Sequence, residues 1–203
     1  MHKLTFIMLA TMLILLTACG SPDPTATPTL PAEIPDPAPT TQIVTVIATI
    51  ALTIKPPLEG RSNVIAFTSK QDGNMELYIM DTDGGDPERL TNHSGEDYWP
   101  TCSPDGAQIA FASDRDGDFE IYAVNVEGSN LHRLTHETGN DLEPAWSPDG
   151  AEIAFMVYRA GKSDIYIMKS DGSDRRPLTD SNGDNYLPKW SPDGKQIVFV
   201  SER

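Results

Sequence analysis

Asp114, Asp116 and Asp118 alternate along one short segment, the spacing of the first ligands of a calcium loop. No bidentate glutamate follows at EF-hand spacing, so the segment reads as a charged turn with its carboxylates in water. His132 and His136 stand at i, i+4, a zinc-ligand spacing on a helix face. No glutamate lies between them and they flank a strand end, so they read, with His93, as surface histidines. The chain holds no Gly-x-Ser-x-Gly, His-Glu-x-x-His or phosphate loop. The expectation is therefore no catalytic residue, no metal and no cofactor, and a chain that is not an enzyme.

The elements that position these residues are set by a repeat. Ser-Pro-Asp-Gly begins at Ser103, Ser147 and Ser191, each 44 residues after the last. Tyr78, Tyr122 and Tyr166 keep that register, as do Leu90, Leu134 and Leu178, and Pro100, Pro144 and Pro188. Ile-Ala-Phe at 65–67, 109–111 and 153–155 returns as Ile-Val-Phe at 197–199. A fixed period of about 40–50 residues with four short apolar runs is the pattern of a β-propeller blade.

Within one copy, Pro144–Ser147 is the predicted first strand and Pro148-Asp149-Gly150 a tight turn. Glu152–Val157 is the second strand, with Ile153 and Phe155 on one face and small Ala154 on the other. Arg159–Ser163 is a predicted loop, Asp164–Lys169 the third strand, Ser170–Ser173 a turn and Arg175–Thr179 the fourth strand.

The stretches Trp190-Ser191-Pro192-Asp193-Gly194, Ile153-Ala154-Phe155, the Tyr-bearing strand and Arg133-Leu134-Thr135 resemble the TolB-like family of WD40-type propellers. The resemblance covers about 61–203. It departs at Cys102, where the other copies have tryptophan, and at Arg176-Pro177, where a proline precedes Leu178. It implies an all-β chain: a partial propeller of about three four-stranded antiparallel blades forming an open arc. TolB-like proteins are similar to six-bladed rings, so either further blades belong to a longer product or a homodimer completes the ring.

Residues 1–18 read as a signal peptide, with Lys3 ahead of an apolar run from Leu4 to Leu16 that is short for a membrane span. Leu16-Thr17-Ala18-Cys19 resembles the bacterial lipobox, which implies cleavage before Cys19, its diacylation, and a membrane-anchored, exported chain on a periplasmic or extracellular face. Two acyl chains suffice for stable anchoring. Residues 19–60 read as a Pro/Thr-rich tether too polar to bury a core, with a possible strand over 43–54.

The full chain has 15 basic and 30 acidic residues, a formal charge of −15. Loss of residues 1–18 removes Lys3 and no acid, giving −16. Such a surface disfavours nucleic acid and anionic headgroups. With Cys19 lipidated, Cys102 is expected to be a buried thiol without a disulfide.

Antiparallel strands send their loops alternately to two faces. The Ser-Pro-Asp-Gly and Asp-Gly turns repeat on one; the other varies between copies and carries Asp72, Asp114, Asp116, Asp118, His93, His136, Asp141 and Asp184. A constant scaffold with variable loops on one rim is the layout of a binding surface. The expectation is a lipid-anchored envelope module that binds a protein or cell-wall partner. The alternative is the substrate-recognition propeller of a larger peptidase, hydrolase or lyase.

Overall fold

The computed structural model describes the backbone of residues 17–19 and residues 64–180 and 183–202. The signal peptide, the tether and the predicted strand over 43–54 lie outside the described residues, apart from 17–19. Every regular element among the described residues is a strand.

Blade one comprises β1 (Thr17–Cys19), β2 (Val64–Ser69), β3 (Glu76–Asp81) and β4 (Glu88–Arg89). Blade two is β5 (Asp97–Cys102), β6 (Gln108–Ser113), β7 (Glu120–Asn125) and β8 (His132–Arg133). Blade three is β9 (Asn140–Trp146), β10 (Glu152–Arg159), β11 (Lys162–Lys169) and β12 (Arg176–Pro177), and a half-blade follows with β13 (Asn185–Trp190) and β14 (Ile197–Ser201). All pairings are antiparallel, and none of the four sheets closes on another. The first strands β5, β9 and β13 lie beside one another and converge on the axis of the arc.

The Ser-Pro-Asp-Gly turn is built the same way each time. Ser103 Oγ donates to Asp105 Oδ1 at 2.6 Å, and the Ala107 N–H donates to the same oxygen at 3.0 Å. The Gln108 N–H donates to Ser103 Oγ at 2.9 Å, and Gly106 completes the reversal at φ 70°. The copies at Ser147/Asp149 and Ser191/Asp193 repeat these bonds. The serine bond and the backbone N–H hold Asp149 and Asp193 below the ordinary carboxylate range.

Blades stack through one large-residue face against one small-residue face. Ile109, Phe111, Tyr122 and Val124 of blade two meet Val64, Ala66, Leu77 and Ile79 of blade one. Ile153, Phe155, Val157 and Met168 of blade three meet Ala110, Ala112, Ile121 and Ala123 of blade two. The alternation read from the sequence is thus the packing rule. The contact is close: a Cβ on Gly172 would stand 2.6 Å from the Leu134 carbonyl of the preceding blade. Past blade three the covering stops. Val198 is 68% exposed, whereas its register equivalents Ala110 and Ala154 are fully buried.

Several local expectations are corrected. Strand one is longer than predicted, Asn140–Trp146 rather than Pro144–Ser147. Glu143 enters the left-handed region at φ 57°, making a bulge past which pairing resumes at Leu142. Trp99 (φ 51°) and Leu187 (φ 55°) do the same in their strands, each just before the repeated proline. The predicted loop Arg159–Ser163 shrinks to a turn at Ala160-Gly161, because Arg159 pairs directly with Lys162. The fourth strands are only two residues long, and Pro177 is tolerated there because β12 is the outermost strand. Cys102 is not a free thiol: it is disulfide-bonded, on the strand that lies beside β1. The chain has one other cysteine, Cys19, whose side chain lies outside the described residues.

Candidate binding rim

The loops between second and third strands and the blade junctions share one face, and their polar side chains form two tiers. The upper tier begins at the acid that opens strand three. Glu76 and Glu120 are buried beneath the rim. Arg89 Nη2 donates to Glu76 Oε1 at 2.6 Å, and Arg133 Nη2 donates to Glu120 Oε1 at 2.5 Å. Each arginine also ties down its own strand four, through Nε to the Thr91 carbonyl at 2.7 Å and to the Thr135 carbonyl at 2.5 Å. The threonine hydroxyls in turn accept the Leu77 and Ile121 N–H groups at 2.8 and 2.9 Å.

The tyrosine that marks strand three completes the tier. Tyr78 donates to Asp72 Oδ2 at 2.6 Å, and Tyr122 donates to Asp116 Oδ2. Arg89 and Arg133 stand 3.9 and 3.7 Å from those same carboxylates. An Asp–Tyr–Arg–Glu chain therefore fastens the rim loop to strands three and four in blades one and two. The tyrosine bond, reinforced by Arg133, Arg115 and His93, holds Asp116 below its ordinary value. Burial raises Tyr122, and the Asp116 carboxylate raises it further. At Glu76 burial pushes upward, but the His93 N–H, Thr91, Arg89 and Asn74 together carry it below the usual range.

The lower tier lies inside the blade contacts. Arg115 Nη2 donates to both carboxylate oxygens of buried Asp97, at 3.0 and 3.1 Å. Its guanidinium lies over the rings of Phe111 and Tyr122, 5.5 and 4.9 Å from their centroids. In blade three Arg175 makes the same arrangement, bidentate to Asp141 at 2.8 and 3.0 Å and over Phe155 and Tyr166 at 5.2 Å each. Burial lifts Asp97 above its ordinary value and pushes Asp141 up to about 6 against the pull of Arg175.

The structure thus sorts the predicted rim residues. Asp72 and Asp116 are exposed but engaged by their tyrosine and arginine. Asp114 turns inward, accepting the Glu96 N–H at 2.6 Å. Asp184 accepts from the Ser163 N–H at 2.8 Å and its hydroxyl at 3.1 Å, clamping the junction to strand three. Asp141 is buried and leaves the rim altogether. Asp118, His93 and His136 are exposed side chains of the rim surface. Asp114, Asp116 and Asp118 do not converge, and among the described residues no three His, Cys, Asp or Glu side chains are grouped to hold a metal.

On the axis, Glu143 Oε2 accepts the N–H of Leu187, its equivalent in the next copy, at 2.6 Å. Burial raises Glu143 and lowers the neighbouring Lys189. Neither Arg115, Arg175 nor Glu143 stood out in the sequence. The displaced Arg-Arg-Pro of the third copy was the one visible sign that an arginine had changed duty.

The chain matches the family described as the TolB beta propeller domain over residues 39–141 and 116–203. It belongs to that family. The putative TolB of Agrobacterium tumefaciens superposes with a TM-score of 0.64 at 34% identity, covering 68% of this chain and 50% of that one. TolB of Acinetobacter baumannii gives 0.60 at 29% identity, covering 69% and 35%. A Protein TolB homolog of Chlorobium chlorochromatii is 42% identical over 53 residues, 26% of this chain and 12% of that protein. The chain thus spans half or less of these relatives' lengths. More distant propellers, among them the tricorn protease at 20% identity and TM-score 0.53, share the fold alone.

Proposed function

We propose that this TolB-family arc is an exported, lipid-anchored binding module that takes an envelope protein or cell-wall component on its variable rim and does no chemistry itself. The observation that carries this reading is the division of labour between the faces. One face repeats the same Ser-Pro-Asp-Gly hydrogen bonds in every copy, while the other presents different loops, on a polar frame shared by blades one and two. A rim that is held rigid yet varied between blades suits recognition. Asp118, His93 and His136 are the exposed side chains best placed to touch a partner. Cys19 is the proposed lipid site and residues 19–60 the tether; lipidation needs the Cys19 sulfur free, so it and an intramolecular disulfide to Cys102 are mutually exclusive states of the chain.

Two experiments test this. Replacing Cys19 with serine should move the chain from the membrane fraction to the soluble fraction; retention contradicts the anchor. Asp118→Lys combined with His136→Glu should abolish capture of a partner from native envelope without changing the melting temperature. If capture is unaffected, the rim is not the binding surface. The reading frame beyond Arg203 separates this role from the alternative: a catalytic domain there favours substrate recognition for a peptidase, hydrolase or lyase.

A further inference from the structure

Blade three keeps the tyrosine of strand three but not its cap. Tyr78 and Tyr122 are buried, and each hydroxyl donates to the carboxylate six residues earlier, Asp72 or Asp116. The residue six before Tyr166 is Ala160. Tyr166 is only half-buried, and its hydroxyl has no hydrogen-bond partner among the described residues. Its ring packs against Phe155 and beneath Arg175, contacts that a phenylalanine would make as well. The hydroxyl is a donor that the fold itself does not use.

The loop beside it has changed sign. Residues 114–118 of blade two hold three aspartates and one arginine, whereas 158–162 of blade three hold Arg159 and Lys162 and no acid. In a chain of formal charge −15 this rim tip is basic. The register brings its cations to the tyrosine's side of the sheet. Phe155 pairs with Tyr166, Val157 with Asp164 and Arg159 with Lys162, so all six side chains lie on one face, the face turned toward blade two. The acids that now hold these cations are largely exposed. Arg159 donates to the Thr138 carbonyl at 2.8 Å and to exposed Glu137 at 3.1 Å. Lys162 Nζ stands 2.9 Å from Asp164 and 3.4 Å from exposed Asp180. Exposed ion pairs contribute little and are readily exchanged for another acid. Arg175 Nε, 3.9 Å from the same Glu137 oxygen, is buried without a hydrogen-bond partner.

We propose that Tyr166, Arg159 and Lys162 form a carboxylate-binding site that takes an aspartate or glutamate side chain of a protein partner. The proposal rests on the reading of the varied rim as the binding face and names the chemistry which that face accepts. The partner's carboxylate accepts from the Tyr166 hydroxyl, as Asp72 and Asp116 accept from Tyr78 and Tyr122, while Arg159 and Lys162 turn to it from their exposed acids. Bonds from such donors to an ionised carboxylate are stronger than those between neutral groups. The chain's own aspartates in the two other blades show that an acidic amino-acid side chain fits a strand-three tyrosine, which favours a protein over a sugar acid as the partner.

The test is a titration of the full chain with a capped tetra-aspartate peptide, followed by amide NMR, with tetra-asparagine as the neutral control. The amides of 159–163 are expected to shift saturably with the aspartate peptide alone. Tyr166→Phe is expected to weaken that binding about tenfold without lowering the melting temperature, and Arg159→Gln combined with Lys162→Gln to weaken it by about as much. Lys195→Gln, on the repeated-turn face, is expected to leave it unchanged. The proposal is overturned if tetra-asparagine shifts the same amides equally, if Tyr166→Phe binds as the unaltered chain does, or if N-acetylmuramic acid binds there and the aspartate peptide does not. Absence of peptide binding, with capture from native envelope still abolished by Asp118→Lys and His136→Glu, overturns the carboxylate site and leaves the rim standing; failure of both overturns the rim as well.

Discussion

Blades two and three put the same guanidinium in the same place by different routes. In blade two it is Arg115, carried by the rim loop; in blade three it is Arg175, carried by the approach to strand four. The counterpart of Arg115 in the third copy, Arg159, instead reaches outward to the Thr138 carbonyl and Glu137. Blade three has also lost the aspartate and arginine links of the upper tier, keeping the strand-three acid Asp164 with the Thr179 hydroxyl at 2.9 Å and Lys162 at 2.9 Å. Ala160 stands where Asp72 and Asp116 stand, and Pro177 where Arg89 and Arg133 stand. What is kept is a buried aspartate neutralised across a Phe–Tyr pair at the blade contact. What is allowed to change is the fastening of the rim. The contact between blades is therefore the constrained feature, and the rim is where copies diverge.

The sharpest way to break this comparison is to remove the guanidinium. Arg175→Met leaves the Asp141 carboxylate, 1% exposed, without its cation, and should cost about 3 kcal/mol or more in urea unfolding. Arg115→Met should cost a similar amount through Asp97. Arg159→Met, on the exposed counterpart, should stay within about 0.5 kcal/mol. Equal losses at Arg159 and Arg175 would erase the distinction between contact and rim.

Two glycines of blade three give the next effect. Both have left-handed backbones, Gly172 at φ 84° and Gly161 at φ 83°, but only Gly172 faces another blade. Gly172→Ala should lose roughly 2 kcal/mol or more, combining backbone strain with displacement of the Leu134 carbonyl; Gly161→Ala should lose only the strain, about 1 kcal/mol.

The pH dependence separates the tiers by sign. Asp141 has its carboxyl raised from 3.8 to about 6 in the folded chain. Between those values the folded state holds a proton that the unfolded state releases, so this group makes stability fall as pH rises through that window. Asp141→Asn should flatten the slope there. Asp116 is shifted the other way, so its contribution is present above its ordinary range and fades on acidification below it. The smallest effect belongs to Tyr122→Phe, which removes the bond to Asp116 and should cost about 1 kcal/mol, while Tyr166→Phe, with Ala160 opposite, should cost less.

The sequence carried the blade because its determinants are local and repeated. Ser-Pro-Asp-Gly closes its own turn, and Ile-Ala-Phe alternates large and small across a single strand. The bulge was not legible, because Trp99, Glu143 and Leu187 share a backbone conformation and no side-chain chemistry. Nor was the fate of the acids. Asp141 and Asp118 look alike in sequence, and only the position of Arg175, 34 residues further on, puts one in the core and leaves the other on the surface. The disulfide at Cys102 was not expected because lipidation of Cys19 would leave it no partner, and because its slot otherwise holds tryptophan and reads as plain core.

The claim on which the account rests is that the varied face, not the repeated one, meets a partner. Photo-crosslinking groups placed at Asp118 on the rim and at Glu127 on the repeated-turn face, both exposed, test it in native envelope. The expected result is a specific adduct from position 118 that the Asp118-bearing chain competes away, with none from position 127. A specific adduct from position 127 alone would contradict it.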